Sequence, residues 1–287
     1  MLRGLDAAVA AGVPVRKRGR VIRWLSRRVC VGLAGIALPL LMYARDMSAQ
    51  DSFGRIIRGN GEATLTVFDG RPLERAAQTL AHEFGVRISV EDPLYLWDGD
   101  LVDLPRSTTG QRTTAPKPLL LEASFALDSS GQPANMRSLL DSLIERVSLD
   151  RPFAYRVDAG PGGYTLVPTR MRNERGELVP YISPLDTVVT LPHTVRVVAL
   201  HANAIREVVE TRTGYHIACC TLRVSNVDLQ TSVDFTVDRE SARHALQRLM
   251  LLRPQPAVQH MRCQALTRTC FVEWTPLTQA DPFPFPN

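Results

Sequence analysis

A helix, a glycine and a strand recur about 130 residues apart, and that repetition limits the folds open to this chain more than anything else in it. The first copy carries an apolar stripe, Leu73, Ala76, Ala77, Leu80 and Phe84, ends at Gly85, and continues as Val86-Arg87-Ile88-Ser89-Val90. The second runs through Ala204, Ile205, Val208 and Val209, stops at Gly214, and continues as Tyr215-His216-Ile217-Ala218-Cys219. Self-similarity at a fixed spacing points to an internal duplication. Gly85 and Gly214 are then expected at left-handed helix ends, where a residue without a Cβ fits best.

Around these two corners the periodicity extends the reading. Ala63–Phe68 alternates like a half-buried strand and turns at Asp69-Gly70-Arg71-Pro72 into the first helix. Val86–Val90 forms the next strand, with Asp100–Leu104 expected to pair with it. Arg106–Pro118 reads as a long polar loop and Leu119–Leu127 as a strand. Asn135 caps a helix striped by Met136, Leu139, Leu140, Leu143, Ile144 and Val147. Phe153–Val157 and Tyr164–Val167 close the half as a hairpin around Gly160-Pro161-Gly162-Gly163. The second half repeats the order: a strand at Val188–Leu191 or Val195–Leu200, the helix Asn203–Thr213, and strands at Tyr215–Cys219 and Ser232–Val237. A helix capped by Asp238 and a hairpin, Ala257–Gln264 with Cys270–Trp274, complete it. The fold class is α+β, two tandem β-α-β-β-α-β-β domains at 62–169 and 186–277, with 170–185 as linker and 278–287 as a disordered, proline-rich tail.

The N-terminal segment sets the compartment. Residues 1–28 carry eight basic side chains, and Val29–Ala44 then runs sixteen residues without a charge. A bilayer span needs about 20 apolar residues, and Gly32, Gly35 and Pro39 interrupt this run. Residues 1–49 therefore read as a signal peptide cut after Ala49, with a cut after Ala44 as the fallback and a retained anchor as the alternative. Residues 50–61 form a short N-terminal linker, and Ser26-Arg27-Arg28 leaves general and twin-arginine export both open. The expected location is periplasmic or secreted, with membrane contact only through an uncleaved leader.

Removing that segment reverses the charge. It holds nine of the 34 basic and two of the 29 acidic residues, so the remainder has 25 and 27, a net charge of about −2 in place of +5. The basic excess belongs to export, and nucleic acid is excluded as a partner.

Arg71-Pro72-Leu73-Glu74-Arg75-Ala76 through Phe84-Gly85-Val86-Arg87-Ile88-Ser89-Val90 resembles the secretin and TonB short N-terminal domain, over 62–168 and more faintly over 186–275. The resemblance implies βαβ units with helices packed on small sheets, and binding of other periplasmic proteins. Members of that family usually precede an outer-membrane barrel or a secretin ring. This chain reaches Asn287 without such a region, so a free-standing exported relative is expected.

Four cysteines follow the leader: Cys219, Cys220, Cys263 and Cys270. A four-residue loop at Ala265–Arg268 sets Cys263 opposite Cys270, so that local pair is the expected disulfide in an oxidising compartment. The competing bond, from Cys219 or Cys220 to the hairpin, closes a loop of about 45 residues, which in the chain-entropy model adds on the order of 4 kcal/mol. His216, Cys219 and Cys220 have the residue types of a zinc site, but alternate strand residues face opposite ways, so no metal is expected. His82 and His244 read as exposed helix histidines. No nucleophile elbow, dinucleotide fingerprint or phosphate loop is present, and neither catalytic nor cofactor-binding residues are assigned. The expected function is non-catalytic binding of an envelope protein through an exposed sheet edge. An exported hydrolase with a site between the domains, or a structural subunit of an envelope assembly, are the rivals.

Overall fold

Leu65 and Val67 point inward from one strand, and Leu121 and Ala123 meet them from another, which is how the first small sheet begins. The computed structural model describes residues 54–93, 95–104, 114–151, 153–219, 230–253, 257–264 and 268–276. The leader, Cys220 and the tail lie outside the described residues, as does the side chain of Cys219.

The first half contains β1 (Arg55–Gly59), β2 (Glu62–Asp69), α1 (Pro72–Phe84), β3 (Ile88–Asp92), β4 (Leu101–Asp103), β5 (Thr114–Pro116), β6 (Leu119–Ala126), α2 (Met136–Asp150), β7 (Ala154–Gly160) and β8 (Gly163–Arg172). After β9 (Leu178–Pro180) the second half contains β10 (Val188–Val197), α3 (Val198–Thr213), β11 (His216–Cys219), β12 (Ser232–Ser241), α4 (Ala242–Leu251), β13 (Ala257–Gln264) and β14 (Thr269–Pro276). The class is α+β. With β1 and the β4–β5 hairpin set aside as additions to the first half, and β9 lying between the halves, each half reads β-α-β-β-α-β-β.

The halves also pair their strands alike. β2 runs antiparallel to β6 as β10 does to β12, β3 parallel to β8 as β11 does to β14, and β7 antiparallel to β8 as β13 does to β14. Gly85 and Gly214 end α1 and α3 with φ of 66° and 69°, each donating its N–H to the carbonyl four residues back at 2.9 Å. Pro72 opens α1, and the Asn135 side chain caps α2 through Ser138 N–H at 3.0 Å.

Several local expectations are corrected. β4 pairs with β5 and not with β3, because Asp92-Pro93 breaks β3 before it can turn back. β12 continues through Asp238 to Ser241, and Ser241, not Asp238, caps α4. α3 begins at Val198, directly after β10. The 170–185 segment is built into the fold: β8 extends to Arg172, β9 pairs with it, and Pro184–Asp186 forms a 3₁₀ turn capped by Ser183.

The halves are joined edge to edge. A seven-stranded sheet runs β11-β14-β13-β3-β8-β7, with β9 also on β8, and its middle junction is the parallel pairing of β13 with β3. At that junction Met261 lies opposite Glu91 and His260 opposite Val90. Residues paired across strands share a face. Val90 belongs to the core formed with α1 and α2, and Met261 to the core formed with α3 and α4. The first half's helices therefore cover one face of the sheet and the second half's helices the other. The described residues form one compact unit.

Candidate functional site at the seam and at an open sheet edge

Helices from each half reach across the seam. On the α4 side Arg243 is buried, with 2% of its side chain exposed, and so is Glu91 on β3. Its guanidinium donates to both Glu91 carboxylate oxygens, from Nε at 2.5 Å and from Nη2 at 3.0 Å, and through Nη1 to Asp186 at 2.7 Å and Asp158 at 3.1 Å. Ser183 donates its hydroxyl to Glu91 Oε2 at 2.5 Å. Burial opposes the charge on Arg243, but Glu91 and Asp186 outweigh it and hold the guanidinium protonated. Four residues on, Gln247 donates to Thr165 Oγ1 at 2.6 Å and lies over Gly160, where a Cβ would fall 2.0 Å from its Oε1. Gln247 thus fills the space that a side chain on β7 would need.

On the opposite face α1 reaches β13. Glu74 accepts from Arg262 Nε at 3.3 Å and again from Nη2, and His260, 3% exposed, lies beside them. Further into the first half Asp92 pairs with Arg71 and accepts from the Tyr155 hydroxyl at 3.2 Å. Arg71 and Arg151 both stack on Tyr95, and Arg151 donates to the Gly70 carbonyl at 2.8 Å. Burial raises both tyrosine hydroxyls, so they remain neutral donors. Arg71, Glu74, Asp92, Tyr95 and Tyr155 are among the residues that line a cavity of ≈ 10 Å³. That is about the room one water needs, whereas ligand pockets hold several hundred Å³.

The seam's chemistry is that of a closed clamp. Glu91, Asp158, Asp186, Glu74 and Asp92 are each held by an arginine. Sequence reading missed Arg243 and Glu91 for a physical reason. Ser89 and Glu91 alternate with Ile88 and Val90, the pattern of a strand with one wet face, and only the second half's helix makes that face dry. The available signal was Arg243 with Gln247 at helical spacing on the flank of an apolar stripe.

Cys263 and Cys270 form a disulfide with sulfurs 2.05 Å apart, facing each other in the β13–β14 register as expected. His216 is exposed and its Nδ1 lies 2.9 Å from Glu210. His244 is not the exposed helix histidine expected: it is half-buried at the seam, 3.4 Å from Asp158. Among the described residues no cluster of three or more His, Cys, Asp or Glu could hold a metal, and no helix is long and apolar enough to cross a membrane.

The two small sheets differ at one edge. In the first half β1 pairs along β2 and packs Ile56 against the core. In the second half β10 pairs only with β12, and the edge matching that of β2 carries no strand, among the described residues. Val188 and Val195 on β10 are 48% and 64% exposed. Arg212 donates to the Val188 carbonyl, and Pro192 has no N–H to offer, so the unobstructed stretch is Thr194–Val197.

No known protein family, curated protein or solved structure matches this chain.

Proposed function

We propose that this is an exported, non-catalytic bacterial binding protein, made of two divergent copies of a module resembling the secretin and TonB short N-terminal domain. In this reading an envelope protein docks by adding a strand to β10. The observation that carries it is the β10 edge, which no strand covers among the described residues, whereas the same position in the first half is filled by β1. An unpaired edge with exposed valines is a ready template for a partner strand, and natural proteins otherwise protect such edges. Here the protection stops at Pro192, which leaves Thr194–Val197 open. Export is supported by the basic, short apolar N-terminal segment and by the Cys263–Cys270 disulfide.

A photo-crosslinking residue at position 195, introduced in the bacterium that makes the protein, tests the site. A discrete adduct with one envelope protein is expected, lost in Val197→Pro, which removes an edge N–H, and absent when the crosslinker is at Arg146 on the exposed face of α2. Equal adducts at 195 and 146, or an adduct indifferent to Val197→Pro, would overturn strand addition at β10. Fractionation tests the compartment separately: protein beginning near Gln50 or Arg45 in the periplasm or medium is expected, and a Met1 terminus in the cytosol contradicts it.

A further inference from the structure

His260 is the one seam residue in the described structure whose side chain is buried with both ring nitrogens lacking a hydrogen-bond partner. It sits on β13 at the junction, opposite Val90 of β3. Glu74 faces it from α1, Arg262 from two residues along its own strand, and Glu273 from β14, where it is His260's register partner. β3 brings Asp92 opposite Arg262, already held by Arg71 and Tyr155. Glu74 in turn is the carboxylate through which Arg262 ties α1 to β13.

We propose that His260 makes the junction acid-sensitive: its protonation draws Glu74 away from Arg262 and loosens the β13–β3 junction, so that the two halves are locked at neutral pH and yield in mild acid. The proposal is independent of the partner-strand reading. A charged imidazole in a site built for a neutral one carries a desolvation cost, and of the two carboxylates facing it Glu74 acts more strongly than Glu273 and is the one that holds the seam. Burial moves the His260 pKa down, with Glu74 and Glu273 opposing and Arg262 assisting. A histidine whose folded pKa is depressed stabilises the fold fully above its unfolded value, about 6.5. That contribution is lost as pH falls from there through the folded pKa. The other face of the seam keeps its hold through Arg243 and Asp186, whose carboxyl the Arg243 and Arg156 guanidiniums hold below its ordinary value against the opposing effect of burial.

The test is hydrogen exchange of the full mature chain, read by mass spectrometry as protection factors, which correct for the intrinsic pH dependence of exchange. Between pH 7.5 and 5.5 the peptides covering β3 and β13 are expected to lose protection at least tenfold, while β2 and β6 keep theirs. His260→Leu should remove that loss, and His244→Gln, at the seam but on the other face, should not. If His260→Leu does not fold, imidazole titration of the wild-type chain by NMR replaces it. The ring must then titrate below pH 6.5, in step with the loss of protection. Unchanged β3 and β13 protection, a loss that survives His260→Leu, or one confined to β10, β12 and α3 around the buried His201, would each overturn the proposal. His201, hydrogen-bonded to the Val233 carbonyl, is also depressed by burial and is the rival source of acid sensitivity.

Discussion

At the scale of the residue, Arg243 and Glu91 matter most, because each is a buried charge whose closest counter-charge comes from the other half of the chain. Arg243→Ala leaves the buried Glu91 carboxyl without its arginine, with Ser183 as its remaining partner among the described residues, so a loss of about 3–5 kcal/mol is expected in urea unfolding. The double change Arg243→Met with Glu91→Leu should recover a large part of it, since a buried ion pair replaced by apolar groups of similar size is often no worse. If the double variant is as unstable as the single one, the penalty comes from packing and not from a stranded charge. Gly214 is a second single-residue case. At φ 69° a β-branched side chain is strained, so Gly214→Val should destabilise by more than about 1 kcal/mol. Gly85→Val at φ 66° should do the same, and a substitution without effect at either site would remove the left-handed corner as their reason.

At the scale of the element, the β13–β14 hairpin is stapled by Cys263–Cys270 across a short loop. The chain-entropy model gives on the order of 2 kcal/mol for so small a loop, against about 4 for the long-range bond weighed from sequence. Replacing both cysteines by serine should therefore cost roughly that smaller amount, partly offset if the hairpin's strand pairing persists unaided. Peptide mapping of unreduced protein should recover Cys263 joined to Cys270, and four alkylatable thiols would contradict both the bond and an oxidising compartment. The elements themselves were largely legible in the sequence. Leu73, Ala76, Ala77 and Leu80 on α1 and Leu139, Leu140, Leu143 and Val147 on α2 are buried as their spacing requires. What misled was continuity: Asp238 has the chemistry of a helix cap, yet β12 runs past it, because pairing with β10 extends to Ser241. The charged, proline-broken 170–185 stretch likewise reads as a linker, but the exposed side of β8 offers it a strand partner.

At the scale of the whole molecule, the seam makes the halves interdependent. Thermal or urea unfolding of the mature chain should be a single cooperative transition, with residues 62–169 expressed alone failing to fold stably, since Glu91 and the β3 edge would be bared. Two separate transitions would mean that the seam contributes little. A head-to-tail junction could in principle repeat between copies, because β7 and β11 present the edges that match β13 and β3. The side chains do not repeat with it. The glycine corners align Glu74 with Asn203, and the strand registers align Arg262 with Asp158, so a second copy would bring an aspartate to an asparagine where the seam has an arginine on a glutamate. The mature chain is therefore expected to elute as a monomer by light scattering at micromolar concentration. A concentration-dependent series of larger species would favour the assembly-subunit reading instead.

The sequence by itself determined the local units: which stretches are helices and strands, where glycine turns the chain, that the order recurs, and which two cysteines face each other. These follow from periodicity and short-range geometry, which act within a few residues. Only the tertiary structure decided that the two halves share a sheet, that Glu91 and Arg243 are buried together, and that among the described residues His260 has no hydrogen-bond partner and β10 lacks the third strand β2 has. Each of those depends on pairing residues more than a hundred positions apart or on the absence of a neighbour, and neither leaves a periodic trace in the chain.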